Sequence, residues 1–271
     1  MSPRIDPRLL ARIARQLPGV SANDLTPLPG LTGQSSRLES AQGRFLLRLA
    51  PQPPIPQVDR QREARLLRKL APSGLTPRPL LAEPQALVLP WRDGEPLTAQ
   101  ALLSRRAEVL MLLRRLHQQP LTGYPLRLLP LLERYWQLCR QRHWRWQRAL
   151  RQLRRSGEPR PLRLAPLHMD VHADNLIADG QALHLIDWEY AADGDVALEL
   201  AALCAAVPEQ AERWLAEYAQ AARLSLPALT QQVTRWQPWL RLLMASWYQL
   251  RAEQSGDAGL RQLARQSWQH F

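Results

Sequence analysis

The spacing of apolar positions divides the chain into a short mixed portion and a long helical one. Residues 5–17 place leucines and isoleucines at helical spacing among arginines, which predicts an amphipathic helix. Over residues 25–50 the period changes. LTPLPGLTGQSSRLES and QGRFLLRLA read as strands joined at Ala41-Gln42-Gly43, so a small sheet is expected. The proline-rich stretch Pro51–Pro56 excludes a helix or strand interior. Asp59–Leu70, apolar at 64, 66, 67 and 70, predicts a helix, and Ala86–Leu89 a further strand. PWRDGEPL (90–97) is a turn-rich break. After it ALLSRRAEVLMLLRRLHQ and LLERYWQLCRQRHWRWQRALRQLRR are helical. From Pro208 onward amphipathic helices carry Trp214, Trp236, Trp239, Trp247 and Trp268. One strand–loop–strand insertion, 160–190, interrupts the helices. The expected fold is α+β and bilobal, with a small mixed α/β lobe over 1–90 and a larger, mainly helical lobe over 91–271.

Composition narrows the setting. Hydrophobic residues make up 45% of the 271, enough for a real core. No run approaches the roughly 18–20 apolar residues that span a bilayer, and the N-terminus has no apolar signal core. Cys139 and Cys204 lack metal-ligand spacing and sit in helix-forming surroundings, so buried free thiols in a reducing cytoplasm are expected. The net charge of +12 comes from arginine, since Lys69 is the single lysine. The arginines are spread over several helix faces, so a nucleic-acid partner is not expected. A monomer acting on small molecules is.

One window departs from this charge map. From His168 to Glu199 there are eight acids and no lysine or arginine. An acidic island in a basic chain suits Mg²⁺, a cationic substrate, or both. Within it, HMDVHADN (168–175) alternates His168, Asp170, His172 and Asp174. On an extended strand these four would share one face, as a zinc cluster would need. The same residues also fit phosphoryl transfer, which needs a carboxylate to take the proton of the attacking hydroxyl and oxygen ligands to hold magnesium. His168, Asp170 and Asn175 have the His-x-Asp-x4-Asn spacing of a kinase catalytic loop, and Asp187 follows the strand ALHLI. LIA and ALHLI, turning at Asp179-Gly180, form a hairpin that brings Asn175 and Asp187 together at its open end.

The small lobe offers candidates for the nucleotide. LPGLTGQSSRL supplies Gly30, Thr32, Gly33 and Ser35, small residues that let backbone N–H groups approach phosphates. It has no GK[ST] and is not a Walker A loop. Arg48, a cation in an apolar strand, and Glu63 on the next helix fit the paired cation and carboxylate of a kinase lobe. Val88 and Leu89, on the strand before the break, complete the cofactor-binding set. Trp188, Glu189 and Tyr190, directly after Asp187, combine aromatic faces and a carboxylate suited to a cationic substrate. A different class stays open on composition alone: an arginine-rich RNA-binding protein on a relic kinase fold, which a basic patch beside aromatics would favour.

HMDVHADN together with LIDWEYAADGDVALELA resembles the aminoglycoside phosphotransferase/choline kinase family. EPRPLRLAPLHMDVHADNLI, RLHQQPLTGYPLRLLPLLERYWQ and RWQPWLRLLMASWY are similar in particular to its thiamine-phosphorylating bacterial branch. The resemblance implies a protein-kinase-like fold and transfer from ATP, with Mg²⁺, to the primary hydroxyl of thiamine. Choline, aminoglycosides and other amino alcohols are the rival acceptors. It also implies roles: Asp170 as base, Asn175 and Asp187 as magnesium ligands, His168 and His172 as loop braces, Asp195 as loop support, and Arg48 on the phosphates. Ala173-Asp174 stands where the family often has Pro-Gly, and Arg48 where it commonly has lysine.

Overall fold

The computed structural model describes residues 5–28, 35–269 and 271. The helices are α1 (Pro7–Gln16), α2 (Arg60–Leu70), α3 (Ala99–Ser104), α4 (Arg106–His117), α5 (Leu128–Leu138), α6 (Trp144–Ser156), α7 (Val196–Ala206), α8 (Ala211–Ala222), α9 (Leu226–Ser255) and α10 (Ala258–Trp268). The strands are β1 (Leu25–Pro27), β2 (Ser35–Ser40), β3 (Gly43–Leu49), β4 (Leu81–Ala82), β5 (Ala86–Pro90), β6 (Glu95–Pro96), β7 (Leu164–Leu167), β8 (Leu176–Ala178), β9 (Leu183–Leu185) and β10 (Ala192–Asp195). Two compact units result. The first holds residues up to Ala101 together with Ala173–Ala191; the second holds Leu102–His172 and Ala192–Phe271.

In the first unit an antiparallel sheet runs β1-β2-β3-β5-β4. Gly43, at φ 123°, makes the β2–β3 turn that a side chain would strain. Alternation along β3 separates two faces. Leu47 joins Leu38, Val88 and the α1 residues Leu9 and Ile13 in one apolar cluster. Arg48, one position on, faces the other way, and Glu63 of α2 meets it there. Asp59 caps α2, its carboxylate accepting the Arg62 N–H. A second antiparallel sheet, β6-β8-β9, carries the expected hairpin. The Asp179 carboxylate accepts the Gln181 and Ala182 N–H groups and so closes the hairpin turn. Gly94 sits at φ 121° against β8, where a Cβ would strike the Ala178 carbonyl and Ile177.

The second unit is helical apart from the β10-β7 pair. Helix α7 is buried all round, from Val196 to Cys204, as a central helix requires. Trp214, Trp236, Trp239 and Trp268 are buried on the later helices. Cys139 and Cys204 are free and buried. Burial pushes their thiols up to about 12 and about 11, which leaves them unreactive. No described helix is long and apolar enough to cross a membrane.

Candidate active site

In the first unit a buried ionic cluster forms around Arg48. Its guanidinium, 2% exposed, donates to Glu63 at 2.7 Å, to Asp187 at 2.6 Å and to Glu189 at 2.6 Å. Arg60 also donates to Glu63 at 2.6 Å and to Glu189 at 3.0 Å. Burial opposes the Arg48 charge, but the three carboxylates outweigh it and raise its pKa. Burial raises Glu189, and Arg48 and Arg60 offset it only in part. Two guanidiniums facing three carboxylates leave one negative charge in excess. Glu63 and Glu189 are 1% and 3% exposed, whereas Asp187 is 37% exposed. Asp187 is thus the carboxylate of this cluster that solvent and a cation could reach.

The hairpin sets Asn175 beside that charge. The Ile186 N–H donates to the Asn175 carbonyl at 3.0 Å, the rung beyond the Leu176–Leu185 pair. Asp187 follows at φ 63°, a left-handed conformation rare for a side-chain-bearing residue and a mark of constrained sites. An amide oxygen and a carboxylate are the hard donors that magnesium takes, with phosphate and water completing the shell. The donor chemistry of Asn175 and Asp187 thus fits Mg²⁺. Among the described residues no group of three or more His, Cys, Asp or Glu forms a metal cage.

In the second unit the segment around Asp170 is not an extended strand. Met169 adopts φ 67°, and the chain enters a 3-10 turn at Ala173, so the alternation of His168, Asp170, His172 and Asp174 does not gather them on one face. His168 is fully buried, while Asp170 and His172 are half-exposed and 3.7 Å apart. Glu199 of α7 fixes the backbone here. Its Oε1 accepts the His168 and Met169 N–H groups, both at 2.6 Å. Its Oε2 meets His117 Nε2 at 2.6 Å, and His117 Nδ1 meets the Tyr218 hydroxyl at 2.6 Å. Burial raises the Glu199 pKa, but the bonds from His117 and the Met169 N–H outweigh it and leave it below its ordinary value. Burial and then the Asp170 charge raise Tyr248 on α9, and Trp247 packs edge-on against it at 5.3 Å.

The remaining sequence candidates find varied places. Gly30, Thr32 and Gly33 lie outside the described residues. Ser35 pairs directly with Arg48 across β2 and β3, so the two share a face. Val88 is fully buried in the cluster with α1, on a strand covered on both faces. Leu89 is 6% exposed. Arg48, expected to hold phosphates, is engaged by carboxylates. Trp188 and Glu189, expected to meet substrate, are 2% and 3% exposed; Trp188 donates to the Leu185 carbonyl, and Glu189 is held by the guanidiniums. Tyr190 is half-buried, and its carbonyl accepts from Gln57. Asp195 supports the scaffold: it caps α7 and accepts from Gln232 at 2.8 Å and Trp236 at 2.9 Å. Sequence reasoning missed Arg60, His117, Glu199 and Tyr248. Glu199 alone left a signal, an acid inside the apolar run VALELAAL.

The model of the phosphotransferase enzyme family matches residues 24–239, and the chain belongs to that family. Over 244 residues, 89% of this chain and 88% of the relative, it is 43% identical to the thiamine kinases of Escherichia coli K12 and Shigella dysenteriae. Among solved structures, the choline kinase LicA of Streptococcus pneumoniae superposes with a TM-score of 0.75 at 17% identity, covering 97% of this chain and 99% of that one. The macrolide 2'-phosphotransferase MphH of Brachybacterium faecium gives 0.61 at 20% identity, covering 96% of each. The fold is thus the protein-kinase-like α+β fold, and the chain is a kinase-type enzyme.

Proposed function

We propose that this chain transfers the γ-phosphoryl group of ATP to the primary hydroxyl of thiamine, giving thiamine monophosphate and ADP. The observation that carries the chemistry is the hairpin, which sets Asn175 beside Asp187 and leaves the Asp187 carboxylate partly open to solvent. The 43% identity to thiamine kinases supports the choice of acceptor.

Asp170, half-exposed and following a backbone pinned by Glu199, accepts the hydroxyl proton as oxygen attacks phosphorus. Asn175 and Asp187 hold magnesium, which supplies charge neutralisation on the ATP phosphates. Arg48, anchored by Glu63, orients Asp187 and balances Glu189. His168 braces the loop from a fully buried position. The aromatic ring near the Asp170 charge is Tyr248, half-buried and supported edge-on by Trp247, which suits a thiazolium cation better than the enclosed Trp188.

The test is turnover with Mg-ATP and a panel of thiamine, choline and kanamycin. Thiamine is expected to give the highest kcat/KM, and Asp170→Asn to remove that turnover from a folded protein. A higher kcat/KM for choline or kanamycin overturns the acceptor. Full activity of Asp170→Asn overturns the base.

A further inference from the structure

Read along the sequence, the arginines are scattered. On α6 they are gathered. This helix, WRWQRALRQLRRS, carries Arg145, Arg148, Arg151, Arg154 and Arg155 and no acid. Its apolar residues Trp146, Leu150 and Leu153 are buried. Its outer face is a surface concavity of about 580 Å³ lined by Trp144, Gln147, Arg148, Arg151, Gln152 and Arg155. Trp144 is 62% exposed, although large apolar side chains are normally covered. The guanidiniums of Arg145 and Arg148 lie 5.6 and 5.1 Å from its ring centroid.

The charge on this face is unspent. Arg154 pairs with Glu133, and Arg145 donates to the Trp268 carbonyl. Among the described residues no carboxylate pairs with Arg148, Arg151 or Arg155. The platform is also rigid. Trp146 packs against Trp136 at 5.3 Å and Trp268 at 4.8 Å, and His143 caps the helix.

We propose that the outer face of α6 binds single-stranded nucleic acid. Arg148, Arg151 and Arg155 are three and four residues apart, so they rise about 4.5 and 6 Å along one side of the helix and form a row for successive phosphates. Trp144, at the head of that row, offers an open ring on which a base stacks, with Arg148 alongside to reinforce it. Gln147 and Gln152 stand between the arginines with donors and acceptors for base edges and sugars. An anionic membrane is the poorer match. A helix that lies in a bilayer surface needs several apolar side chains turned outward. Here those side chains face the core, and the outer face carries one tryptophan among amides and cations. The surface is independent of the residues assigned to phosphoryl transfer.

The test uses the full chain and a fluorescein-labelled 12-nucleotide RNA, read by anisotropy across a salt series. Binding is expected to weaken with salt at a log–log slope of about −2, from roughly 0.7 per phosphate neutralised by three arginines. R148A/R151A/R155A is expected to lose that binding, and Trp144→Ala to weaken it about tenfold through lost stacking. Both variants should keep wild-type turnover with thiamine and an unchanged melting temperature, which shows that they fold. Equal RNA binding by the triple variant, binding independent of salt, or tighter binding to phosphatidylserine vesicles than to RNA each overturns the proposal.

Discussion

Replacing Arg48 with methionine separates what the ionic cluster does for stability from what it does for chemistry. Methionine keeps much of the length and removes the charge. Glu63 and Glu189, 1% and 3% exposed, then share only Arg60. Removing one partner from a buried ion pair costs about 3–5 kcal/mol, because the remaining charge is desolvated and unpaired. Arg60 still reaches both glutamates, which places the loss near the lower end, about 3 kcal/mol. At roughly 2–4 °C per kcal/mol for a large domain, the melting temperature should fall by about 6–12 °C in a calorimetric scan. Adding Glu189→Gln to Arg48→Met should recover most of that loss, since a neutral amide needs no counter-ion. It should not recover turnover, since Asp187 has still lost the guanidinium that orients it. An Arg48→Met melting temperature within about 2 °C of wild type would refute the reasoning, as would a further drop on adding Glu189→Gln.

Three further outcomes are expected. Asp170→Asn should lower kcat by about 10²–10⁴-fold, the usual worth of a general base, with its melting temperature unchanged because the side chain is half-exposed. Asp187→Asn should raise the magnesium concentration needed for half-maximal rate, measured by titrating Mg²⁺ at fixed ATP; no change in that concentration would remove Asp187 from the metal. Glu199 gives a pH signature. Its carboxyl lies below the ordinary value of 4.5 in the folded chain, so its contribution is present above that pH and is lost as pH falls through the folded value. Melting temperatures recorded from pH 6 downward should therefore fall less steeply below about 4.5 in Glu199→Gln than in wild type; identical acid limbs would refute the shift.

The hairpin was legible because its information is local. A period-2 run, a turn at Asp179-Gly180 and a second short run determine its register, and with it the meeting of Asn175 and Asp187. Of the partners of Arg48, Glu63 was legible and the other two were not. Asp187 and Glu189 lie 139 and 141 positions away, and no spacing rule connects a strand cation to carboxylates at that distance. The faces of β5 were hidden for another reason. Residues 86–89 are buried on both sides, so alternation is absent and Val88 could not be assigned to the α1 side in advance.

The acidic island shows how to read a charge excess. Of its eight acids, five are spent within the fold: Asp179 closes a turn, Glu189 meets two arginines, Asp193 accepts the Thr122, Gly123 and Tyr124 N–H groups, Asp195 caps α7, and Glu199 pins the loop. Asp187 is spent in part, on Arg48, yet it stays 37% exposed, and Asp170 and Asp174 are also reached by solvent. The same subtraction applied to the arginines removes Arg48 and Arg60, buried among carboxylates, and Arg154, paired at the surface. Among those that keep no carboxylate partner in the described residues, Arg148, Arg151 and Arg155 stand in one row on α6. A raw count of charges points to a class of ligand, but how each charge is buried and paired decides whether it can meet one.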